Sequence, residues 1–241
     1  MNTPALLLVA HGTRSARGVQ MVSDLAAAVG HELSCGASHS DAPMVRTAFV
    51  DVLGPTPAEV LRDLNPIPAV VVPAFLASGY HVYRDVPREV TESGHPAVTV
   101  TPAMGPDPAL ARVLRARLRT AGWQPGDAVV LAAAGSSDAR ARHDVRRAGA
   151  LLGDLLHATV RVATIATGAP RVPEVVAALR ASGAKRVFVS SYLLAEGLFQ
   201  QRLHTVGADG VAEPIGVHPS VVRLLADRYR TAADTLLDAV A

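Results

Sequence analysis

The sequence predicts an α/β protein of two similar domains, each a parallel β-sheet flanked by helices, with a cleft between them. Three observations predict it. First, the chain repeats itself. Leu6-Leu7-Leu8-Val9-Ala10-His11-Gly12 has a counterpart in Val129-Val130-Leu131-Ala132-Ala133-Ala134-Gly135, 123 positions later. Residues 72–79 return as 190–197 at an offset of 118, and 104–114 as 215–225 at 111. Three blocks in one order, with slowly shrinking offsets, imply duplication with small deletions. Second, each copy alternates short apolar runs with longer helical stretches, the rhythm of βαβ units in a sheet covered on both faces. Third, 241 residues of which 49% are apolar suffice for one large or two modest cores, and 18% charge argues against disorder.

Taken in order, the first copy offers β-rich runs at 5–10, 44–50, 69–73 and 97–101, each bounded by Gly, Pro or polar residues. Helical stretches fall between them at 18–29, 57–64 and 83–92, and 108–121 follows the fourth strand. Asp107-Pro108 is a strong start signal, a capping carboxylate followed by proline in the first turn. A turn-rich link at 122–126, holding Pro125, separates the copies, so the expected domains are 1–123 and 124–241. The second copy places strands near 128–133, 159–165, 186–190 and 211–215, with helices near 139–156, 172–181 and 219–239. A cleft between two such domains is the usual place for a small-molecule site.

Composition excludes several classes. Net charge is only +2, and the arginines are scattered without a basic run or aromatic stripe, so no nucleic-acid partner is expected. The apolar runs at 5–10 and 69–72 are too short to span a bilayer, so no membrane partner is expected. Met1-Asn2-Thr3-Pro4 lacks the basic segment of a signal peptide. The single Cys35 rules out an intramolecular disulfide framework and a cysteine zinc cluster; it reads as an inert thiol and fits a cytoplasmic location. A monomer is expected rather than an obligate oligomer.

The chemistry sits in one copy. Ligands collect beyond the carboxyl ends of parallel strands. His11 follows the first strand, Asp51 the second, and His81 lies in the loop after the third. Their counterparts in the second copy are Ala134, Ala166 and Phe199, so the scaffold persists while the polar trio is lost. His31, His39, His95, His143, His157, His204 and His218 read as loop or helix-surface residues. Two imidazoles and a carboxylate suit a borderline divalent cation. Three protein ligands at most leave positions open for an incoming ligand. Neutral imidazole can alternatively accept protons near neutral pH, and spacing alone does not separate these roles.

The blocks Leu8-Val9-Ala10-His11-Gly12-Thr13-Arg14, Pro73-Ala74-Phe75-Leu76-Ala77-Ser78-Gly79-Tyr80-His81-Val82, Asp85-Val86-Pro87 and Met104-Gly105-Pro106-Asp107-Pro108 together resemble the sirohydrochlorin chelatase family. These are the ATP-independent, class II chelatases of sirohaem and cobalamin synthesis. The resemblance covers essentially the whole chain and implies a two-lobed, class II chelatase-like fold. It implies insertion of Fe2+, or next Co2+, into sirohydrochlorin, with the metal and the tetrapyrrole as substrates and no permanently bound cofactor. It also implies that His11 and His81 hold the metal and assist loss of the pyrrole protons. Asp51 falls where many members carry Glu; the shorter side chain places its direct ligation in question. Thr13 replaces the commoner Ser.

Substrate carboxylates need cationic or N–H partners, and Arg14, Arg17, Arg84 and Arg88 lie near the two histidine blocks. Arg88 reads better as a solvated helix-face charge. Gly12 and Thr13 begin a strand-to-helix turn whose N–H groups can bind a carboxylate or simply turn the chain. Arg140 and Arg202 are further candidates from the second copy. Two other readings stay open: a histidine-nucleophile phosphatase, which lacks the flanking arginine because Ala10 precedes His11, and a non-catalytic metal or tetrapyrrole carrier.

Overall fold

The computed structural model describes residues 3–35 and 42–240. Two four-stranded, wholly parallel sheets are present, in the orders β2-β1-β3-β4 and β6-β5-β7-β8. In the first, β1 (Ala5–Ala10) pairs with β2 (Val45–Phe49) on one side and β3 (Ala69–Pro73) on the other, and β4 (Val98–Val100) lies beyond β3. Every residue of β1 and β3 is buried, as expected of inner strands covered on both faces. Ala5, Leu7 and Val9 face Val60, Leu61 and Leu64 of α2 (Pro57–Leu64) and Val86 of α3 (Val86–Ser93). The opposite face is covered by α1 (Ala16–Ser34) and α8 (Pro219–Val240).

Local signals explain most boundaries. Thr56 caps α2 with a full capping box: its Oγ1 accepts from the Glu59 N–H, and the Glu59 carboxylate accepts from the Thr56 N–H. Helix α1 runs five residues past the expected end, through Gly30. That glycine serves packing: a Cβ there would lie 3.2 Å from a Val45 methyl on β2. His81 was expected in a loop. It instead opens a π-helical turn, His81–Asp85, that runs into α3, and such wide turns recur at functional sites.

The second sheet comprises β5 (Ala128–Gly135), β6 (Val160–Thr167), β7 (Val187–Tyr192) and a two-residue β8 (Gly210–Val211). Helices α4 (Pro108–Thr120) and α5 (Ala139–Leu156) pack together, α4 also against β7 and α5 against β5 and β6. Residues of β5, β6 and β7 form a second core with α6 (Val172–Ala181) and Leu203 of α7 (Leu198–Leu203). The short α7 was not expected.

The compact units differ from the expected division at 123/124. One comprises Met1–Met104 with Pro219–Ala241, the other Gly105–His218. Each copy's last helix is thus exchanged: α4 follows β4 but packs in the second unit, and α8 follows β8 but packs in the first. Matching arginines mark the exchange. Arg117 on α4 donates to the Ile215 carbonyl, and Arg228 on α8 donates to the Met104 carbonyl, both pairs related by the same offset of 111. Tyr229 donates to the Pro4 carbonyl, and burial pushes its phenol up to about 12.

Candidate functional site

A 2-1-3-4 strand order makes the chain leave β1 for one neighbour and return to the other, so the crevice of reversal lies between the ends of β1 and β3. His11 follows β1 and His81 lies beyond β3, and the sheet brings their ring centres to 4.5 Å at a 48° tilt. Phe75 stacks near His81, and Tyr80 meets it edge-on, each with a centre separation of 6.2 Å.

The π-turn supplies a partner that the sequence reading gave no role. His81 Nδ1 lies 2.6 Å from Asp85 Oδ2, and Asp85 is buried while His81 is half-exposed. The carboxylate accepts the Nδ1 proton, which leaves Nε2 of His81 as the lone-pair nitrogen. Arg88, expected as a solvated charge, holds the other oxygen, Asp85 Oδ1, at 3.1 Å. Glu89 joins them to α2, accepting from Arg88 and from the Ala58 N–H. The sequence signal was an aspartate four residues after the histidine, meaningful only once the segment is helical.

Part of the His11 ring is exposed. Desolvation by the atoms around it nevertheless holds the imidazole below its ordinary value near 6.5, and the neighbouring His81 adds to this; Asp51 and Asp85 pull the other way. His11 is therefore neutral at neutral pH. With metal–nitrogen bonds of about 2.0–2.1 Å, a ligating imidazole's centre lies roughly 3 Å from the ion. Centres 4.5 Å apart then suit two nitrogens in neighbouring coordination positions.

Asp51 departs from the expected trio. It lies beyond β2, across β1 from the crevice, and its Oδ1 accepts from the Val52 N–H at 2.7 Å. Among the described residues no three His, Cys, Asp or Glu side chains are grouped to hold a metal ion. Gly12 has a backbone reason to be glycine: φ is 100°, and a Cβ there would lie 2.0 Å from the Asp51 carbonyl oxygen. Thr13 Oγ1 accepts from the Ser15 N–H, so it braces the entry to α1. Arg14, Arg17 and Arg84 are exposed and make no ion pair among the described residues. Arg140 is paired with Asp138 at 3.0 Å, and Arg202 lies over the Phe199 ring. His39 lies outside the described residues.

In the second unit the matching turn keeps its glycine and loses its chemistry. Gly135 has φ 97°, and a Cβ there would meet the Thr167 carbonyl at 1.9 Å. The bulge in the β5–β6 register shifts this approach one residue beyond Ala166, the counterpart expected from spacing. Arg171 Nη1 donates to the Ile165 and Ala166 carbonyls and occupies the loop.

Two parallel sheets from one duplicated unit, with the imidazole pair confined to the first, define a duplicated α/β fold of the chelatase type. The chain belongs to the CbiX family, whose model matches residues 5–121 and 128–232. SirB from Bacillus subtilis, solved with Fe3+, superposes with a TM-score of 0.80 at 23% identity over 97% of each chain. The sirohydrochlorin ferrochelatase of Priestia megaterium is 24% identical over 94% of this chain and 90% of its own. The sirohydrochlorin cobaltochelatase of Methanococcoides burtonii is 31% identical over 34% of this chain and 60% of its own.

Proposed function

We propose that this protein is a sirohydrochlorin chelatase that inserts a divalent metal, Fe2+ ahead of Co2+, into sirohydrochlorin without ATP. The observation that carries the reading is the imidazole pair at 4.5 Å, confined to one of two duplicated units. Insertion requires an aquo-cation to shed water and two pyrrole N–H protons to leave. His81, its Nδ1 proton held by Asp85, offers Nε2 to the cation, and neutral His11 offers a second nitrogen or accepts a proton. Two neutral ligands hold the ion weakly, which lets the macrocycle take it. Positioning metal and ring together replaces a slow encounter in solution.

Arg14, Arg17 and Arg84 are the proposed partners of the substrate carboxylates, with Gly12 and Thr13 shaping the loop beside them. Asp51 acts through its charge on His11 rather than as a ligand. No helix among the described residues is long and apolar enough to cross a membrane; we take the protein to act in the cytoplasm as a monomer with no resident cofactor.

The test is anaerobic incubation of purified protein with sirohydrochlorin and, in turn, ferrous, cobaltous and nickel ions, followed by absorbance. Acceleration over the spontaneous rate with repeated turnovers is expected, fastest with Fe2+. Stoichiometric binding without turnover would make the protein a carrier instead.

A further inference from the structure

We propose that Val52 and Tyr80 form an apolar rim on which the flat face of the macrocycle rests while the imidazoles deliver the metal. The inference rests on the chelatase reading above. Val52 has φ 69°, and the Leu53 N–H donates to the Asp51 carbonyl at 2.8 Å, closing a three-residue turn around it. A turn of this kind with positive central φ is rare and strained, and a β-branched residue is among the worst occupants of that conformation. Glycine or asparagine would adopt it at lower cost. No core packing offsets the strain, because Val52 is 46% exposed. What the position does provide is an aliphatic group beside the histidine turn: Val52 Cβ lies 3.5 Å from where a Cβ on Gly12 would stand.

Tyr80 matches it on the other loop. It is 58% exposed, immediately precedes His81, and sets its ring edge-on to that imidazole. Each histidine loop thus has a solvent-facing apolar side chain beside it. In the second unit the same step carries Leu198, 59% exposed, although the histidine after it has become Phe199. Exposure of an apolar group at that step is therefore common to both units. The ligand such a surface recognises is flat and apolar across its face and anionic at its edge, since Arg14, Arg17 and Arg84 are exposed in the same two loops.

Val52→Gly and Val52→Asn test the rim, because both relax the turn while removing the aliphatic group; Tyr80→Ala removes the aromatic one. Binding of sirohydrochlorin is followed by its own fluorescence, turnover with Co2+ by absorbance, Co2+ binding to the protein alone by calorimetry, and folding by thermal melting. The expected result is a Tm at or above wild type for the Val52 variants and unchanged Co2+ affinity. Sirohydrochlorin Kd and KM should rise about three- to tenfold in each variant, the scale of one lost apolar contact, with the loss carried by KM rather than kcat. Wild-type Kd and KM in both Val52 variants would overturn the rim and leave the chelatase reading standing. Failure of the wild-type protein to accelerate insertion with any metal would overturn the chelatase reading, and the rim with it.

Discussion

At the scale of single residues, the proposed function turns on keeping His11 neutral and His81 aimed. The folded-state pKa of His11 lies below 6.5, so in acid the folded protein gives up its neutral ligand later than a free histidine would. The acid limb of kcat/KM should accordingly fall with a midpoint below 6.5, and His11→Ala should abolish that limb together with most activity. The same shift makes folding less favourable as pH drops from about 6.5 through the folded value, because the unfolded chain binds the proton more readily there. Asp85 acts differently, by fixing which nitrogen of His81 carries hydrogen. Asp85→Asn should weaken Co2+ binding about 10- to 100-fold, measured by titration calorimetry, with the melting temperature monitored alongside. A loss below about twofold would show that His81 is oriented without it. Ala134→His, which puts an imidazole on the second unit's matching turn, should leave insertion nearly unchanged, since neither a partner imidazole nor an Asp85 equivalent stands there: the matching residues are Phe199 and Leu203. His11 was legible in the sequence because it ends an apolar run, and His81 because it follows the block 72–79 that returns in the second copy. Asp85 was not, because an acid four residues from a histidine means nothing until the backbone between them is known to coil.

At the scale of elements, the turns after β1 and β5 are the rigid points. Gly12 and Gly135 both sit at positive φ with a carbonyl oxygen within about 2 Å of any added Cβ. Gly12→Ala or Gly135→Ala must therefore push β2 or β6 outward besides accepting an unfavourable backbone. Each should cost at least ~2 kcal/mol, read from urea unfolding. Gly12→Ala should also depress insertion by displacing His11, whereas Gly135→Ala should affect stability alone. If the two variants lost activity equally, the imidazole loop would not be the sensitive part. Helix α4 was legible from its start signal, Asp107-Pro108, and α2 and α5 from their place between apolar runs, with the caps at Thr56 and Asp138 seen only in the structure. The misreadings came from tertiary effects. The helix expected to end at 29 runs on through Gly30, which lies inside α1 where β2 packs close to it, and the six residues of α7 are too few to show a helical period.

At the scale of the molecule, the duplication was legible and the exchange of last helices was not, for a physical reason. Helices α4 and α8 match at the offset of 111 and carry similar apolar stripes, so the sequence does not reveal which sheet each one covers. In the first unit α8 buries Val221, Val222, Leu225, Ala226, Tyr229, Ala233 and Leu236. At about 1.5–3 kcal/mol for each large apolar side chain, the contribution is of the order of 10 kcal/mol, comparable with the entire stability of a typical domain. The first copy alone is therefore expected not to fold. A fragment of residues 1–123 carries the complete imidazole pair yet lacks α8, and its own α4 is left with an unmatched apolar stripe. It should lack a cooperative thermal transition, bind Co2+ no better than a denatured control, and aggregate. Adding a separate peptide of residues 219–240 should restore a transition, because the sheet surface that α8 covers is already encoded in the fragment. A 1–123 fragment that melts cooperatively by itself would show that α4 can fold back and take the place of α8, making the exchange a consequence of chain connectivity rather than of helix specificity.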